Sequence, residues 1–408
     1  MKKLFVLIAI YLTLAGCSKF QSPNLSTEPI SVAAIQLKPD IESDHGTKIP
    51  SDMQLETEKI QTGKIEKPLV TSAKLVAIGD ILLHQSVYKD AATDQGTYNF
   101  FPMFEQVKPF IESADIAIAN QETMIGGKEL GLSSYPIFNS PYEIGDALKD
   151  TGIDIVTLAN NHTMDKGEKG ILNAVSHWNQ IGMLYTGAFK SQEDRETIRT
   201  ITKNGITFSF LSYTYGTNGL SVPQDKPYLV NLIDLTLIKK DVERAKQLSD
   251  VVVVSMHWGN EYEETPNQTQ IDLAHSLSEM GTDIIIGHHP HVLQPIDLIE
   301  RSDGSRTFVL YSLGNFLSAQ EGVERLTGGI GGIEVTKVTY QGKTTIKLSD
   351  PSFVPTYGYY ENWRNFEVIP MHQLNDTYLP NYQVHYVETQ NHMKQFIKEL
   401  TFTDRLNN

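Results

Sequence analysis

Short apolar segments that each stop at a polar cluster are the feature that most restricts the fold of this 408-residue chain. Five of them share one layout, in which a short apolar run predicts a strand and Gly, Asn, Asp, Glu or His follows at once. Strands without polar positions are typical of a sheet that is covered on both faces. The five predicted strands span residues 74–78, 116–119, 153–158, 251–255 and 283–286.

Segments with helical spacing separate these strands. They include residues 100–113, 170–181 and 235–248. Strands that alternate with helices predict an α/β layered fold. Further along, two stretches of alternating residues at 332–340 and 344–352 predict a β-hairpin.

The polar clusters predict a ligand site. In open α/β sheets, ligands bind outside the carboxyl ends of the strands, so side chains that follow the strands are expected to converge. Five of the twelve histidines occupy such positions. The converging set is Asp80, Glu122, Asn161, His162, His257, His288, His289 and His291.

The donor types in this set predict a divalent metal. Carboxylate oxygen, carboxamide oxygen and imidazole nitrogen together suit Mn, Fe, Zn or a similar ion. The single cysteine, Cys17, lies far from these segments, which disfavours a thiolate-bound structural zinc. The clusters include a His-x-His pair at His289 and His291, and they contain enough ligands for one or two ions.

The first residues predict export and a lipid anchor. Met1-Lys2-Lys3 is followed by an apolar run and then by Leu14-Ala15-Gly16-Cys17. A basic start, a short apolar stretch and small residues before a cleavage site describe a secretory signal. The last four residues resemble a bacterial lipobox, so we expect a signal peptide over residues 1–17 and lipidation of Cys17. This places the protein on the extracytoplasmic face of the cell membrane.

The rest of the chain divides by composition. Residues 18–70 are polar and lack apolar periodicity, which predicts a flexible tether. Residues 71–356 carry the strands and helices of the main domain. Residues 357–408 are predicted to be a C-terminal extension that packs on the domain or trails from it.

Composition limits the partners. Forty-nine acidic residues against 34 Lys and Arg leave a net charge of −15. Nucleic acid binding requires clustered cations on the phosphate backbone, and the sequence shows no such cluster. A polyanionic partner would need a metal or a local basic patch to offset the charge.

Six motifs follow one another along the chain: Gly79-Asp80, Asn120-Gln121-Glu122, the segment 160–167, the segment 257–262, the segment 287–292 and the segment 312–316. Together they resemble the CapA family of bacterial capsule and poly-γ-glutamate synthesis proteins. The resemblance covers about residues 75–316 and the hairpin that follows. It implies a four-layer α/β/β/α sandwich like that of the calcineurin-like metallophosphoesterases.

The resemblance implies roles for individual residues. It implies that His162 is an acid or anion-stabilising histidine, and that Glu122 stands where phosphoesterases place a bridging Asp. Leu82 occupies the position of a metal-binding His in the phosphoesterases. The implied metal ligands are Asp80, Glu122, Asn161, His257, His289 and His291.

Several neighbouring residues are candidates for the pocket. Asp165 could orient His162 or cap the next helix, and either His288 or His289 could be the primary ligand. His84 could enter the site, although a hydrogen-bonding role on a helix is favoured. The candidate pocket residues are His84, Asn120, Asn160, Asp165, Glu261, Tyr262, His288 and Asn315.

Three functions follow as hypotheses. The favoured one is a membrane-anchored accessory protein that works beside membrane synthase subunits and binds an anionic polymer such as poly-γ-glutamate. The second is an active metal-dependent phosphoesterase or other hydrolase of the cell envelope. The third is a metal-bearing docking domain without catalysis.

Overall fold

The computed structural model describes residues 67–403. The predicted signal peptide, Cys17 and nearly all of the predicted tether lie outside the described residues. Between residues 67 and 403, no helix is both long and apolar enough to cross a lipid bilayer.

The first sheet has nine strands, parallel in one half and antiparallel in the other. Strand order across it is β14-β13-β12-β1-β2-β3-β4, with β11 beside β1 and β15 beside β13. Strands β1 to β4 run parallel, while β12, β13 and β14 are antiparallel neighbours. Their bounds are β1 (Leu69–Ile81), β2 (Ile116–Gln121), β3 (Ile155–Thr157), β4 (Leu184–Thr186), β11 (Asn315–Leu317), β12 (Thr327–Tyr340), β13 (Lys343–Glu361), β14 (Arg364–Pro370) and β15 (Thr401–Phe402).

The second sheet has six strands in the order β5-β6-β7-β8-β10-β9. Its four central strands are parallel, and antiparallel strands β5 and β9 close the two edges. All seven residues of β7 are buried, which explains its continuous apolar sequence. The bounds are β5 (Arg199–Lys203), β6 (Ile206–Thr214), β7 (Val251–His257), β8 (Ile284–His288), β9 (Leu293–Glu300) and β10 (Arg306–Leu313).

Helices connect the parallel strands, and their ends follow ordinary capping chemistry. The helix of residues 268–280 begins with a capping box between Asn267 and Gln270 and ends at Gly281 in a left-handed conformation. The helices are α1 (Gln85–Asp90), α2 (Phe101–Phe104), α3 (Lys108–Glu112), α4 (Glu143–Asp150), α5 (Gly167–Gln180), α6 (Gln192–Glu196), α7 (Leu235–Leu248), α8 (Gln268–Met280), α9 (Val323–Leu326) and α10 (Tyr382–Met393), with 3₁₀ turns at Lys128–Leu130, Pro227–Leu229 and Met371–Gln373.

Three apolar clusters show how the layers stack. In β1, Leu75 and Ala77 face a cluster shared with β7, β8 and β10 of the other sheet, so the two sheets pack face to face. Val76 and Ile78, which alternate with them, face a cluster with helices α1 to α5. The far side of the second sheet packs on α7 and α8. This arrangement is the four-layer α/β/β/α sandwich that the resemblance implies.

The C-terminal residues take part in the first sheet. Strand β13 runs continuously through position 357, and β14 and β15 both pair with it. The predicted hairpin of residues 332–352 is present as the longer pair β12 and β13.

Candidate metal centre

The carboxyl ends of strands from both sheets meet at one place because glycines allow their backbones to approach closely. The Asp80 amide donates a hydrogen bond to the Gly314 carbonyl at 2.9 Å. A Cβ atom on Gly79 would lie only 2.1 Å from that same oxygen. A Cβ atom on Gly287 would likewise lie 2.0 Å from the Tyr311 carbonyl oxygen. Only glycine fits at these positions, and Asp80 and His288 follow them directly.

Asp80 lies at the middle of the site and is fully buried. Asn120 donates a side-chain hydrogen bond to Asp80 Oδ1 at 2.7 Å, and the His289 amide donates to Oδ2 at 3.3 Å. Nδ1 of His288 lies 3.1 Å from Oδ1, and Nδ1 of His291 lies 3.3 Å from Oδ2. Burial alone would raise the pKa of Asp80, but its hydrogen bonds and charge contacts with His288 and His291 outweigh burial and lower that pKa. Asp80 is therefore a carboxylate, the form that binds a cation.

Glu122 is fully buried, and neither of its carboxylate oxygens has a hydrogen-bond partner. Its Oε1 lies 3.6 Å from His291 Nε2 and 3.7 Å from His257 Nε2. Burying a carboxyl group without hydrogen bonds is costly unless a cation compensates it. Nδ1 of His257, Nε2 of His288 and Nδ1 of His289 are also buried without a hydrogen-bond partner. These unpartnered donor atoms fit a divalent metal ion.

The donor atoms divide into three groups that could each hold an ion. In each group, one atom per residue lies within 4.8 Å of the others. Glu122 belongs to two groups, so its carboxylate could bridge two neighbouring ions. The groups are Asp80 with Glu122 and His291, Glu122 with His257 and His289, and Glu261 with His289 and His291.

The three histidines of the segment 287–292 differ in their contacts. His289 and His291 belong to the ion groups, whereas His288 ends β8 and faces Asp80. His289 and His291 have positive φ angles of 99° and 58°, which non-glycine residues rarely adopt. Strained backbone of this kind is concentrated at functional sites, where the surrounding structure holds it.

Asn161 reaches the site from the loop after β3. Its Oδ1 accepts a hydrogen bond from His257 Nε2 at 2.9 Å, so a metal at this position would take the place of that proton. Asn160 has a supporting role, because its side chain bonds the Gln121 carbonyl and the His162 amide. Sequence position predicted both to be near the site, and the structure separates donor from support.

His162 is held by Asp165, its neighbour at i+3. Nδ1 of His162 lies 2.8 Å from Asp165 Oδ2, and the same oxygen accepts the Phe138 amide at 2.6 Å. The imidazole also packs edge-on against the Phe138 ring at 4.7 Å. Lys166, not Asp165, occupies the cap position of α5, so Asp165 orients His162 and does not cap the helix. A carboxylate at Nδ1 leaves Nε2 as the working atom of the ring.

The remaining candidates lie at the periphery. His84 stands at the start of α1, where its Nδ1 accepts the Ala319 amide, and burial lowers its pKa to about 4. It is a hydrogen-bonding histidine of the kind that sequence favoured, and Leu82 is buried. Asn315 contacts His291 Nδ1 at 3.0 Å. Tyr262 lies with its ring 6.3 Å from that of His291.

Tyr215 is a site residue that sequence analysis missed. Its ring lies 4.7 Å from that of His289 and stacks parallel to that of His257 at 6.3 Å. The available signal was its position directly after β6, which ends like the other central strands. Tyrosine was not among the residue types expected to bind metal, and its ring instead forms a wall of the site.

Metal uptake is expected to release protons at neutral pH. Burial lowers the pKa of His291, but the charges of Glu122 and Asp80 outweigh it and raise that pKa to about 9. Burial also raises the pKa of Glu122 well above its usual value. These groups therefore hold at least one proton below pH 9, and a metal must displace it. We expect Mn²⁺ affinity, measured by calorimetry, to fall about tenfold per proton between about pH 8 and about pH 7. An affinity that stayed constant over this interval would contradict the assignment.

Known proteins show the following similarities to this chain. A family model described as bacterial capsule synthesis protein PGA_cap matches residues 74–320. The PGA biosynthesis protein CapA of Bacillus subtilis is 31% identical over 275 residues, which is 65% of this chain and 67% of that protein. The capsule biosynthesis protein CapA of Bacillus anthracis is 30% identical over 260 residues, which is 60% of each chain. A solved structure of a hypothetical protein from Thermus thermophilus has a TM-score of 0.39 at 15% identity and covers 68% of this chain and 98% of that one.

Proposed function

This chain belongs to the PGA_cap family of bacterial capsule synthesis proteins, and from that premise we propose a specific role for its metal centre. The protein is an extracytoplasmic accessory protein of capsule or poly-γ-glutamate synthesis or export. It holds one or two divalent metal ions, Mn, Fe or Zn, at the strand ends. The metal binds carboxylates of the anionic polymer, while the lipid on Cys17 holds the protein beside the membrane synthase subunits.

The buried, unpartnered carboxylate of Glu122 is the observation that carries the metal part of this proposal. Its two oxygens lie among the histidines without a hydrogen bond, and only a cation or a proton compensates such a group. The polymer part draws support from the names of the two Bacillus relatives. The membrane anchor draws support from the sequence of residues 1–17 alone.

Charge gives a physical reason for a metal in this role. A chain with net charge −15 repels a polymer that carries a carboxylate on every residue. A divalent ion held by these histidines and acids would supply positive charge to which a polymer carboxylate could bind. With the metal bound, the strand ends would attract the acidic polymer, while the rest of the acidic surface repels it.

Binding of a γ-linked glutamate oligomer tests the proposal. With Mn²⁺ present, we expect the purified protein to bind a fluorescein-labelled oligomer, measured by fluorescence anisotropy. Chelation with EDTA and the double variant Asp80→Ala/His291→Ala are both expected to weaken this binding by at least about tenfold, as removal of a charge-assisted contact does.

The matched control is Asp272→Ala/His275→Ala, which removes an exposed acid and histidine of α8. It removes the same two residue types but leaves the metal ligands intact, so its oligomer affinity is expected to equal that of the wild type. Unchanged oligomer binding after chelation or in the site variant would refute a metal-mediated role.

A hydrolase is the second candidate, and the His162–Asp165 pair favours it. An imidazole whose Nδ1 is held by a carboxylate, as that of His162 is held by Asp165, is suited to donate a proton from its other nitrogen to a leaving group. A bound metal would supply an activated water and stabilise negative charge. Turnover of an aryl phosphate with added Mn²⁺, lost in His162→Ala while metal content is retained, would support this candidate; no turnover with several metals would exclude it for such substrates.

A further inference from the structure

Arg325 lies beside the metal centre, and the proposed function gives this residue no role. Its guanidinium carbon stands 4.3 Å from the centre of the Tyr262 ring. The Tyr262 ring in turn lies 6.3 Å from that of His291. The Tyr262 ring thus lies between the Arg325 guanidinium and His291, and both are close to it.

Arg325 has no acidic partner among residues 67–403, and its side chain makes no hydrogen bond within that range. Three other arginines behave differently: Arg195 pairs with Asp241, Arg199 with Asp194 and Arg301 with Asp283. In a chain with 49 acidic residues, an arginine whose guanidinium has neither an ion pair nor a hydrogen bond among residues 67–403 keeps its donors for a ligand.

The hydrogen-bond network of the metal centre fixes the position of Arg325. Asn315, whose Oδ1 lies 3.0 Å from His291 Nδ1, donates from Nδ2 to the Arg325 carbonyl at 2.9 Å. The same amide group donates to Gln320 Oε1 at 2.9 Å, and Gln320 donates to the Tyr262 hydroxyl at 3.3 Å. The Tyr262 amide is bonded to the Pro290 carbonyl at 2.7 Å, between His289 and His291. The arginine, its aromatic support and the histidines therefore form one connected unit.

We propose that Arg325, supported by Tyr262, is an oxyanion subsite that binds one carboxylate of the acidic polymer while a neighbouring carboxylate contacts the metal. This inference rests on the proposed function. The planar guanidinium can donate two parallel hydrogen bonds to a carboxylate, and the ring beneath it holds that plane in place. A ligand with recurring carboxylates can occupy the metal and the arginine together, whereas a ligand with one carboxylate cannot.

Affinity of the metal-loaded protein for the labelled γ-linked glutamate oligomer tests this subsite. Arg325→Gln removes the charge and keeps a polar side chain. It is expected to weaken oligomer binding by about tenfold, as loss of a charge-assisted hydrogen bond does, while Mn²⁺ content stays at the wild-type value. The salt dependence of binding should also become shallower, because one ionic contact is gone. Arg325→Lys, which keeps the charge without the planar fork, is expected to fall between the two.

Arg306→Gln is the matched control. Arg306 begins β10 at the opposite end of the strand from the metal centre, and its side chain contacts the Leu348 carbonyl. Its loss changes net charge as Arg325→Gln does, so oligomer affinity is expected to be unchanged. Equal weakening in both variants would show a general charge effect and overturn the subsite.

The outcomes separate this inference from the proposed function. If the wild type binds the oligomer in a metal-dependent manner and Arg325→Gln binds it equally well, the subsite is wrong and the proposed function stands. If the wild type does not bind the oligomer, both are wrong.

Competition identifies the oxyanion: we expect glutarate to displace the oligomer from wild type better than from Arg325→Gln. If inorganic phosphate shows that difference and glutarate does not, the assignment of a carboxylate is overturned.

Discussion

Asp80→Ala is expected to weaken Mn²⁺ binding by at least about 100-fold, because residues that only orient a metal ligand already contribute about 10- to 100-fold. Asp80 does more than orient. Its carboxylate joins an ion group with Glu122 and His291, and it holds Asn120 and the His289 amide in place. Metal content after dialysis against limiting Mn²⁺, measured by mass spectrometry, reports the result.

Glu122→Gln separates loss of metal from loss of fold. The amide is the same size as the carboxylate but is a poor metal ligand, so metal content is expected to fall as in Asp80→Ala. Metal-free Glu122→Gln is expected to unfold at the same or a higher temperature than the metal-free wild type, since the buried carboxyl group has no hydrogen bond to lose. Wild-type metal content in either variant would show that the ion lies elsewhere; the exposed variant Asp272→Ala serves as the control.

Asp241→Leu is expected to lower the free energy of unfolding by about 3–5 kcal/mol, the range for breaking a buried ion pair by removing one partner. Asp241 is 2% exposed and makes a bidentate contact with Arg195, at 2.5 Å and 3.1 Å. The buried Tyr213 hydroxyl donates to the same carboxylate at 2.9 Å. Removal of Asp241 leaves a largely buried guanidinium without its carboxylate and a phenol without its acceptor. Urea unfolding followed by circular dichroism measures the change.

Two further variants define what that result means. Glu243→Ala removes an exposed acid of the same helix and is expected to change stability by less than about 0.5 kcal/mol. Arg195→Leu/Asp241→Leu removes both charges and is expected to recover part of the loss, because no charge is then left buried alone. A loss below about 1 kcal/mol in Asp241→Leu would show that Arg195 finds another partner.

Local pattern predicted central strands of both sheets, the hairpin and the layered architecture. An apolar run that ends at a polar cluster indicates a strand buried on both faces. Such a strand needs a covering layer on each face, helices on one and a second layer on the other. The predicted helix of residues 100–113 was wrong in one respect: it is two short helices, α2 and α3, with Pro102 and Pro109 in their first turns. Proline lacks the amide proton that a helix interior needs, so a new helix begins there.

The location of the candidate site at the strand ends was predictable from the sequence, but the arrangement of its side chains was not. Sequence placed Asp80, Glu122, Asn161 and His257 at strand ends, and the structure places them within reach of one another. The left-handed conformations of His289 and His291 decide which histidines join the ion groups, and no local pattern predicts them. The choice of Asp165 as the partner of His162 also depends on Phe138, which bonds the same oxygen from 27 positions away.

The sequence by itself determined the alternation of strands and helices, the family and the donor types at the strand ends, because each depends on residues close together in the chain. Only the tertiary structure decided which donors lie close enough to share an ion and that neither Glu122 oxygen has a hydrogen-bond partner. It also decided that the Tyr215 ring lies beside His289 and that Arg325 lies over the Tyr262 ring. These facts depend on contacts between distant segments, such as the 96 positions between Asn161 and His257 and the 209 between Asp80 and His289. Packing of the two sheets brings those segments together, and periodicity within one segment carries no information about that distance.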